Sequence, residues 1–342
     1  MRIVIATDAW SPQVSGVVTT LNHTREHLLS EGHDVLMVTN EGHRTFPCPT
    51  YPEIRLPLFP GRKIARALDA FSPDCVHIAT EGTIGLSVRR YCRKRGIPFT
   101  TAYHTQMPEY VRARFPIPLS WTYALLRWFH GAAERTLVPT ESMRSTLLER
   151  GFDNVVIWSR GVLTDVFHPD DPAAYDLEEP IWVNFGRVSV EKNIEAFLDL
   201  DLPGSKVIIG DGPDRERLEA AYPDVLFLGY KFGRDLARHV AGADVFVFPS
   251  RTDTFGIVML EAMACGVPVA AYPVTGPVDV VRHGITGCLS TDLKTACLRA
   301  LELDSRDCRQ YAETCTWTRS TRQFIDHLAP RNVTLVSQAA TR

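Results

Sequence analysis

Residues 244–271 read DVFVFPSRTDTFGIVMLEAMACGVPVAA. The short apolar run that closes on Pro and Ser fits a buried strand. The loop SRTDTFG follows, and then IVMLEAMAC fits a helix that Gly266 and Pro268 stop before a second apolar run, VPVAA. Strand, helix and strand in this order form the unit of a parallel sheet covered on both faces. The same theme spreads in both directions. Downstream of about residue 181 the runs IWVNFGR, SKVIIGDGP and DVLFLGY precede it, each followed by a loop and a helical segment. Near the N-terminus RIVIATDAW, GHDVLMVTN, DCVHIAT, IPFTTAYHT and RTLVPT repeat it. The expectation is an α/β protein of two doubly wound, Rossmann-like domains. Their boundary is expected in the Pro- and Asp-rich stretch FHPDDPAAYDLEEP (167–180), so that residues 1–166 form one domain and 167–310 the other. A helix is expected over 311–328, with Trp317 and Phe324 on its apolar stripe, and a disordered tail over 329–342.

Composition agrees with a globular protein. Of 342 residues 45% are apolar and 23% charged, and no apolar run approaches the roughly 20 residues of a membrane span. The N-terminal apolar run is too short for a signal-peptide core, which points to the cytoplasm. Eight scattered Cys form no CxxC or Cys/His cluster, as reduced, mostly buried thiols would, and no metal site or nucleic-acid partner is expected. The sequons NHT (22–24) and NVT (332–334) carry little weight without secretion. Charge is unevenly shared: residues 1–165 hold 19 Lys+Arg against 15 Asp+Glu, and residues 166–342 hold 18 against 25. A basic N-terminal half can face an anionic surface.

Ligands of wound sheets sit beyond the carboxyl ends of the strands, so the loops there are the places for chemistry, and the cleft between two such domains is the default site. In VNFGRVSVEKN (183–193) a strand ends at Gly186, and Arg187 and Lys192 follow beside Glu191 and Asn193. Two cations near a helix start suit a pyrophosphate; a solvated turn with a surface ion pair is the alternative. In the opening stretch Asp253 precedes the helix and Glu261 lies within it, eight residues on, or roughly 80° of helical rotation, so they serve different ends. Asp253 can accept from ligand hydroxyls, and the N–H groups around Phe255, Gly256 and Ile257 suit anionic or sugar oxygens. Glu261 sits among Met259, Leu260, Ala262 and Met263, where a carboxylate is costly unless paired, and vicinal ribose hydroxyls would pair it. Gly16, before the first helix, permits close backbone approach, although the GxGxxG fingerprint of dinucleotide-binding dehydrogenases is missing. His104 directly follows a strand in TTAYHTQMPEY (100–110).

Together GRVSVEKN, the loop GDGP (210–213), the opening stretch and the Gly16 loop resemble the motifs of the retaining nucleotide-sugar glycosyltransferases of family 4, over about residues 1–325. The resemblance implies the GT-B fold, two Rossmann-like domains facing across a cleft. It implies that Arg187 and Lys192 hold the donor diphosphate and Glu261 the ribose, and that Asp253 with Thr254, Phe255, Gly256 and Ile257 holds the sugar. Gly16 would face the diphosphate from the N-terminal, acceptor-binding domain, and His104 would lie by the donor sugar at the reaction centre. The family has a Glu-x7-Glu motif, and Asp253 stands here for the first Glu. No cofactor or metal is implied; the one DxD of note, Asp199-Leu-Asp201, falls at an expected helix end and reads as structural. The 311–328 helix is expected, on the same resemblance, to cross back to the N-terminal domain.

For the acceptor, three stretches matter: FPGRKIARAL (59–68), RRYCRKRG (89–96) and YVRARFPIPLSWTYALLRWFHGAAER (110–135). Aromatics interleaved with Arg suit an anionic membrane interface, and core helices with solvated basic faces are the alternative. FPCPTYPEIRL (46–56), YHTQMPEY (103–110) and WSRGVLTDVFHP (158–169) are similar to the branch containing sulfoquinovosyl- and other glycosyl-diacylglycerol synthases. The expected reaction moves a hexose or hexuronic acid from a nucleotide sugar, UDP before GDP, to a diacylglycerol-type lipid. The enzyme would be peripheral on the inner face of the plasma membrane. A polysaccharide or polyprenyl-linked acceptor, and a non-catalytic nucleotide-sugar sensor, are the alternatives.

Overall fold

Ile3, Val4, Ile5 and Ala6 of β1 (Arg2–Ala6) are wholly buried, as a strand covered on both faces requires. The computed structural model describes residues 1–13, 15–48 and 51–331. By its internal contacts the chain divides into two units, one of residues 1–159 with the segment from Ser320 onward, the other of residues 160–319.

The first unit continues with α1 (Gly16–Ser30), β2 (Asp34–Val38), β3 (Thr45–Cys48), β4 (Tyr51–Pro57), α2 (Gly61–Phe71), β5 (Cys75–Ile78) and α3 (Thr83–Arg95). Then come β6 (Thr100–Ala102), α4 (Met107–Arg114), α5 (Leu119–His130), β7 (Arg135–Val138), α6 (Glu141–Glu149) and β8 (Val155–Ile157). Its sheet has the order β2-β1-β5-β6-β7-β8, all parallel. The antiparallel hairpin β3–β4 stands apart. Helices α2, α3 and α5 share one apolar layer, in which Ile64 and Leu68 meet Ile84, Val88 and Phe129. Asp8, at the end of β1, is buried and accepts from the backbone N–H of Ile84 at 2.9 Å and from the hydroxyl of Thr80 at 3.0 Å, capping α3. The sequon NHT lies within α1, and NVT lies outside the described residues.

The second unit holds β9 (Ile181–Phe185), α7 (Glu195–Leu198), β10 (Ser205–Ile209), α8 (Arg215–Ala221), β11 (Leu226–Phe227), α9 (Gly233–Ala241) and β12 (Val245–Phe248). It closes with α10 (Ile257–Ala264), β13 (Val269–Ala271), α11 (Pro277–Val280), β14 (Gly287–Leu289), α12 (Leu293–Ala300) and α13 (Ser305–Glu313). Its order is β11-β10-β9-β12-β13-β14, again all parallel. Apolar clusters cover both faces, one with Met259, Leu260 and Met263 of α10, the other with Phe197 of α7 and Ala296 of α12. The chain leaves β9 to one side through β10 and β11 and returns to the other side at β12. The switch of direction therefore lies between β9 and β12.

Three expectations change. The boundary falls at Ser159/Arg160, and the stretch 167–180 belongs to the second unit. Val162 and Phe167 are buried in its core, and Tyr175 donates to the His239 carbonyl at 2.7 Å. These anchors are masked in sequence by the Pro and Asp around them. The helix expected over 311–328 is two: α13 ends at Glu313 and α14 spans Trp317–His327. Thr316 breaks it by accepting at 3.2 Å from the backbone N–H of Arg319, and Cys315 gives its carbonyl to the N–H of Val162 at 2.9 Å. The boundary between the units falls inside α14, with buried Trp317 before it and buried Phe324 after it. The tail begins later than position 329, because Ala329 is buried and Pro330 bridges to Cys75; residues 332–342 lie outside the described residues. Six of the eight cysteines are buried.

Candidate active site

The loops after β9 and β12 flank the switch point, and they carry Arg187, Lys192 and Asp253. Gly186 ends β9 at φ +131°. The next residues run backbone to backbone along the loop after β10: the Gly186 N–H donates to Ile209 and the Val188 N–H to Asp211, both at 2.9 Å. That closeness requires glycine opposite. A Cβ on Gly210 would lie 1.8 Å from the Gly186 carbonyl oxygen, and one on Gly212 would lie 2.2 Å from that of Val188. Gly210→Ala is expected to cost at least ~3 kcal/mol of stability, because two backbones must part. Urea unfolding of the variant against wild type checks this, and an unchanged midpoint would refute it.

A 3₁₀ turn, Val190–Lys192, follows, and Asn193 takes a left-handed φ of +54° while its side-chain amide donates to the Pro249 carbonyl at 3.0 Å. This clamp ties the β9 loop to the end of β12. Ser250 and Thr252 add hydroxyl donations to the Glu191 carbonyl at 3.4 and 3.5 Å. Across the clamp Lys192 Nζ donates to Asp253 Oδ1 at 2.7 Å, both side chains largely shielded. Sequence reasoning assigned these two residues to separate parts of a ligand; the fold brings them into direct contact.

Several polar atoms here are left without a partner. Asp253 Oδ2 and Ser189 Oγ are buried and make no hydrogen bond among the described residues. Helix α10 starts after Gly256, φ +81°, an N-cap residue with no side chain to close its first turn. A side chain at 256 is barred, since its Cβ would meet Met259 Cε at 2.7 Å and the Phe248 ring at 3.0 Å. Thr254 is buried and Phe255 partly so. One turn into α10, the Glu261 carboxyl has no hydrogen bond among the described residues, and burial alone pushes it up to about 7 although an edge remains accessible. The negative charge of these carboxylates is muted: Lys192 offsets Asp253, and Glu261 is half neutral near pH 7.

The remaining candidates lie in the first unit. Gly16 opens α1 behind Ser15, whose hydroxyl accepts from the Val18 N–H at 3.4 Å, and a Cβ built on Gly16 meets nothing within 4 Å. His104 follows β6, half-buried, with its ring edge-on to Trp158 at 5.8 Å between centroids. Of the DxD pair, Asp199 accepts from the Tyr222 hydroxyl at 2.6 Å and Asp201 from Lys294 Nζ at 3.2 Å, both in structural contacts. Among the described residues no cluster of three or more His, Cys, Asp or Glu could hold a metal ion. Sequence reasoning missed Ser189 and the Asn193 clamp, and it missed Gly276, where a Cβ would sit 2.9 Å from the Asp253 carbonyl oxygen. The Asn in the EKN triplet was the one available signal, since Asn tolerates left-handed φ.

Comparison with known proteins finds relatives along most of the chain. Residues 14–166 match the family described as Glycosyltransferase Family 4, and residues 179–302 match Glycosyl transferases group 1. A GDP-mannose-dependent alpha-mannosyltransferase of Mycobacterium tuberculosis is 32% identical over 84% of this chain and 83% of its own length. The sulfoquinovosyl transferase of Arabidopsis thaliana is 29% identical over 92% of this chain and 66% of its own. An alpha-monoglucosyldiacylglycerol synthase of Streptococcus pneumoniae is 27% identical over 88% and 78%. In three dimensions a sucrose-phosphate synthase of Thermosynechococcus elongatus superposes with a TM-score of 0.72 at 19% identity, covering 95% of this chain and 97% of its own, which establishes the GT-B fold. The chain therefore belongs to glycosyltransferase family 4 and is a glycosyltransferase that uses a nucleotide-sugar donor.

Proposed function

We propose that the protein transfers a hexose or hexuronic acid from a nucleotide sugar to a diacylglycerol-type membrane lipid, with retention at the anomeric carbon. The observation that carries the reading is the Lys192–Asp253 pair at the switch point, set beside unpartnered oxygens on Asp253 and Ser189 and the shielded carboxyl of Glu261. A hydroxyl-rich donor with a diphosphate supplies what each of these groups lacks. Arg187 and Lys192 hold the diphosphate, Glu261 accepts from the ribose hydroxyls, and Asp253 with the backbone of Thr254 to Ile257 holds the sugar.

Breaking the bond from the anomeric carbon to the phosphate oxygen leaves positive charge on the sugar and negative charge on the diphosphate. Lys192, Arg187 and the uncapped start of α10 stabilise that negative charge as it grows. The acceptor hydroxyl bonds to the anomeric carbon, and its proton passes to the departing phosphate oxygen. No side chain is assigned as a covalent nucleophile.

The lipid acceptor is supported by the name of the S. pneumoniae relative and by the aromatic and basic surface of the first unit. Among the described residues no helix is long and apolar enough to cross a membrane, as a peripheral enzyme of the inner leaflet requires. The mycobacterial relative favours GDP-mannose as a second candidate donor beside the UDP-sugars. The test offers radiolabelled UDP-glucose, UDP-glucuronate, UDP-galactose and GDP-mannose singly, with diacylglycerol in vesicles. Label is expected in the lipid phase from one of them. Donor bound or hydrolysed with no labelled lipid would refute the lipid acceptor and direct the search to polysaccharide or polyprenyl-linked acceptors; donor bound and never turned over would identify a sensor.

A further inference from the structure

Helix α5 exposes Trp121, Leu125 and Trp128 at fractional accessibilities of 72%, 59% and 52%, while Tyr123, Leu126 and Phe129 face the core. The spacing puts the three on one stripe. A soluble helix rarely shows two tryptophans to water, and no acidic residue occurs from Tyr110 to Ala133. Trp128 is also held rigid: the Arg89 guanidinium lies 3.9 Å over its ring and donates at 2.6 Å to its carbonyl. A second feature is independent of α5. Phe59, just ahead of α2, is 96% exposed and has a φ of +49°, a conformation that costs a non-glycine residue about 1–2 kcal/mol. A strained backbone that presents an aromatic ring to solvent gains nothing within this protein, and Leu58 beside it is exposed as well.

The cations complete the surface. Helix α2 exposes Arg62 and Arg66, and α3, which packs on α2 and reaches α5 through Arg89, exposes Arg90, Arg93 and Lys94. The one exposed carboxylate on α2 besides these, Asp69, is occupied by Arg95 at 3.1 Å. Exposed apolar tips and guanidinium groups on helices packed together match an anionic bilayer, whose headgroups take the cations while its acyl boundary takes Trp and Phe. We infer that the α2–α3–α5 layer is a docking face for an anionic lipid surface, entered by Phe59 and by the Trp121–Leu125–Trp128 stripe. This rests on the proposed lipid acceptor for its purpose, but not for its test.

The experiment is co-sedimentation of the full chain with vesicles of phosphatidylcholine alone or mixed with phosphatidylglycerol, without donor or acceptor lipid. Binding is expected to the mixed vesicles and to fall as salt rises. The Trp121→Ala/Leu125→Ala/Trp128→Ala variant should partition at least ~30-fold less. The Arg62→Gln/Arg66→Gln/Arg90→Gln/Arg93→Gln variant should lose the preference for phosphatidylglycerol. UDP and GDP binding, measured on the same samples by calorimetry, should match wild type and so report intact folding. Wild type that ignores phosphatidylglycerol vesicles would overturn the inference. So would a stripe variant that binds them undiminished, or a concentration-dependent dimer that the variant abolishes in the absence of vesicle binding. Each of these is read without sugar transfer, so failure here is distinct from failure of the glycosyltransferase reading in the radiolabel assay.

Discussion

Lys192→Ala is expected to lower turnover by ~10²- to 10³-fold, the usual loss when one preorganised charge facing a developing anion is removed. The effect should fall mainly on kcat, because the charge on the leaving diphosphate is greatest in the transition state. A second consequence follows from the 2.7 Å contact with Asp253. Without the ammonium, both Asp253 oxygens lack a partner in a shielded position, and the fold should lose about 1–3 kcal/mol. Steady-state kinetics with the donor found by the radiolabel screen, together with urea unfolding, measure both effects. A kcat within threefold of wild type would remove Lys192 from the chemistry. Lys192→Arg tests position as well as charge, since the planar guanidinium cannot reproduce the same reach to Asp253.

Glu261→Gln is expected to stabilise the protein at high pH while weakening the donor. In the fold the Glu261 carboxyl titrates at about 7, against about 4.5 in the unfolded chain. Between those values the folded state holds a proton that the unfolded state has released, so unfolding free energy falls as pH rises from 4.5 to 7. Above pH 7 the penalty is complete and amounts to about 3 kcal/mol. The Gln variant carries no such penalty, so its stability advantage should be full at pH 8 and absent near pH 4.5. Donor binding should show the opposite trend. In the proposed role the carboxylate, not the acid, accepts from two ribose hydroxyls, so wild-type affinity for donor should rise through pH 7 and that of the variant should stay weak and flat. Thermal unfolding and donor titrations from pH 5 to 8 check both; a pH-independent difference in stability would show that burial does not raise Glu261.

Such a trade is common where a site is built for a ligand that is not always present. It also explains how much could be read from the chain. The buried strands were plain because Ile3 to Ala6, Val183 and Val245 to Phe248 lie in short apolar runs with loops after them, and a sheet covered on both faces leaves that pattern. The strands β3, β4, β8 and β14 were not foreseen, being short or rich in Pro and Gly. Arg187, Lys192 and Asp253 were legible as polar residues in loops after strands, and Glu261 as a carboxylate inside an apolar helical stretch. The salt bridge between two of them was not, because Lys192 and Asp253 stand 61 residues apart and meet only through the order of β9 and β12 in the sheet. Asn193 shows the same limit, since its clamp on Pro249 depends on a left-handed turn that no periodicity announces. The exposure of Trp121, Leu125 and Trp128 was likewise undecided in sequence, where a stripe at this spacing reads equally as core.

Helix α14 bears on how the molecule is made. Phe324 in its last turns and Leu328 just past its end join the cluster that holds Ile3, Ile5 and Trp158, and Pro330 pairs with Cys75. On the ribosome the first sheet emerges early, yet this cluster stays open until residues beyond 320 have been synthesised. The stretch 160–319, by contrast, is contiguous and has all its core residues once it clears the exit tunnel. The part of the protein translated first is thus the part completed last, and a nascent chain stalled at residue 319 carries a finished second unit and a first unit whose core is still missing a wall.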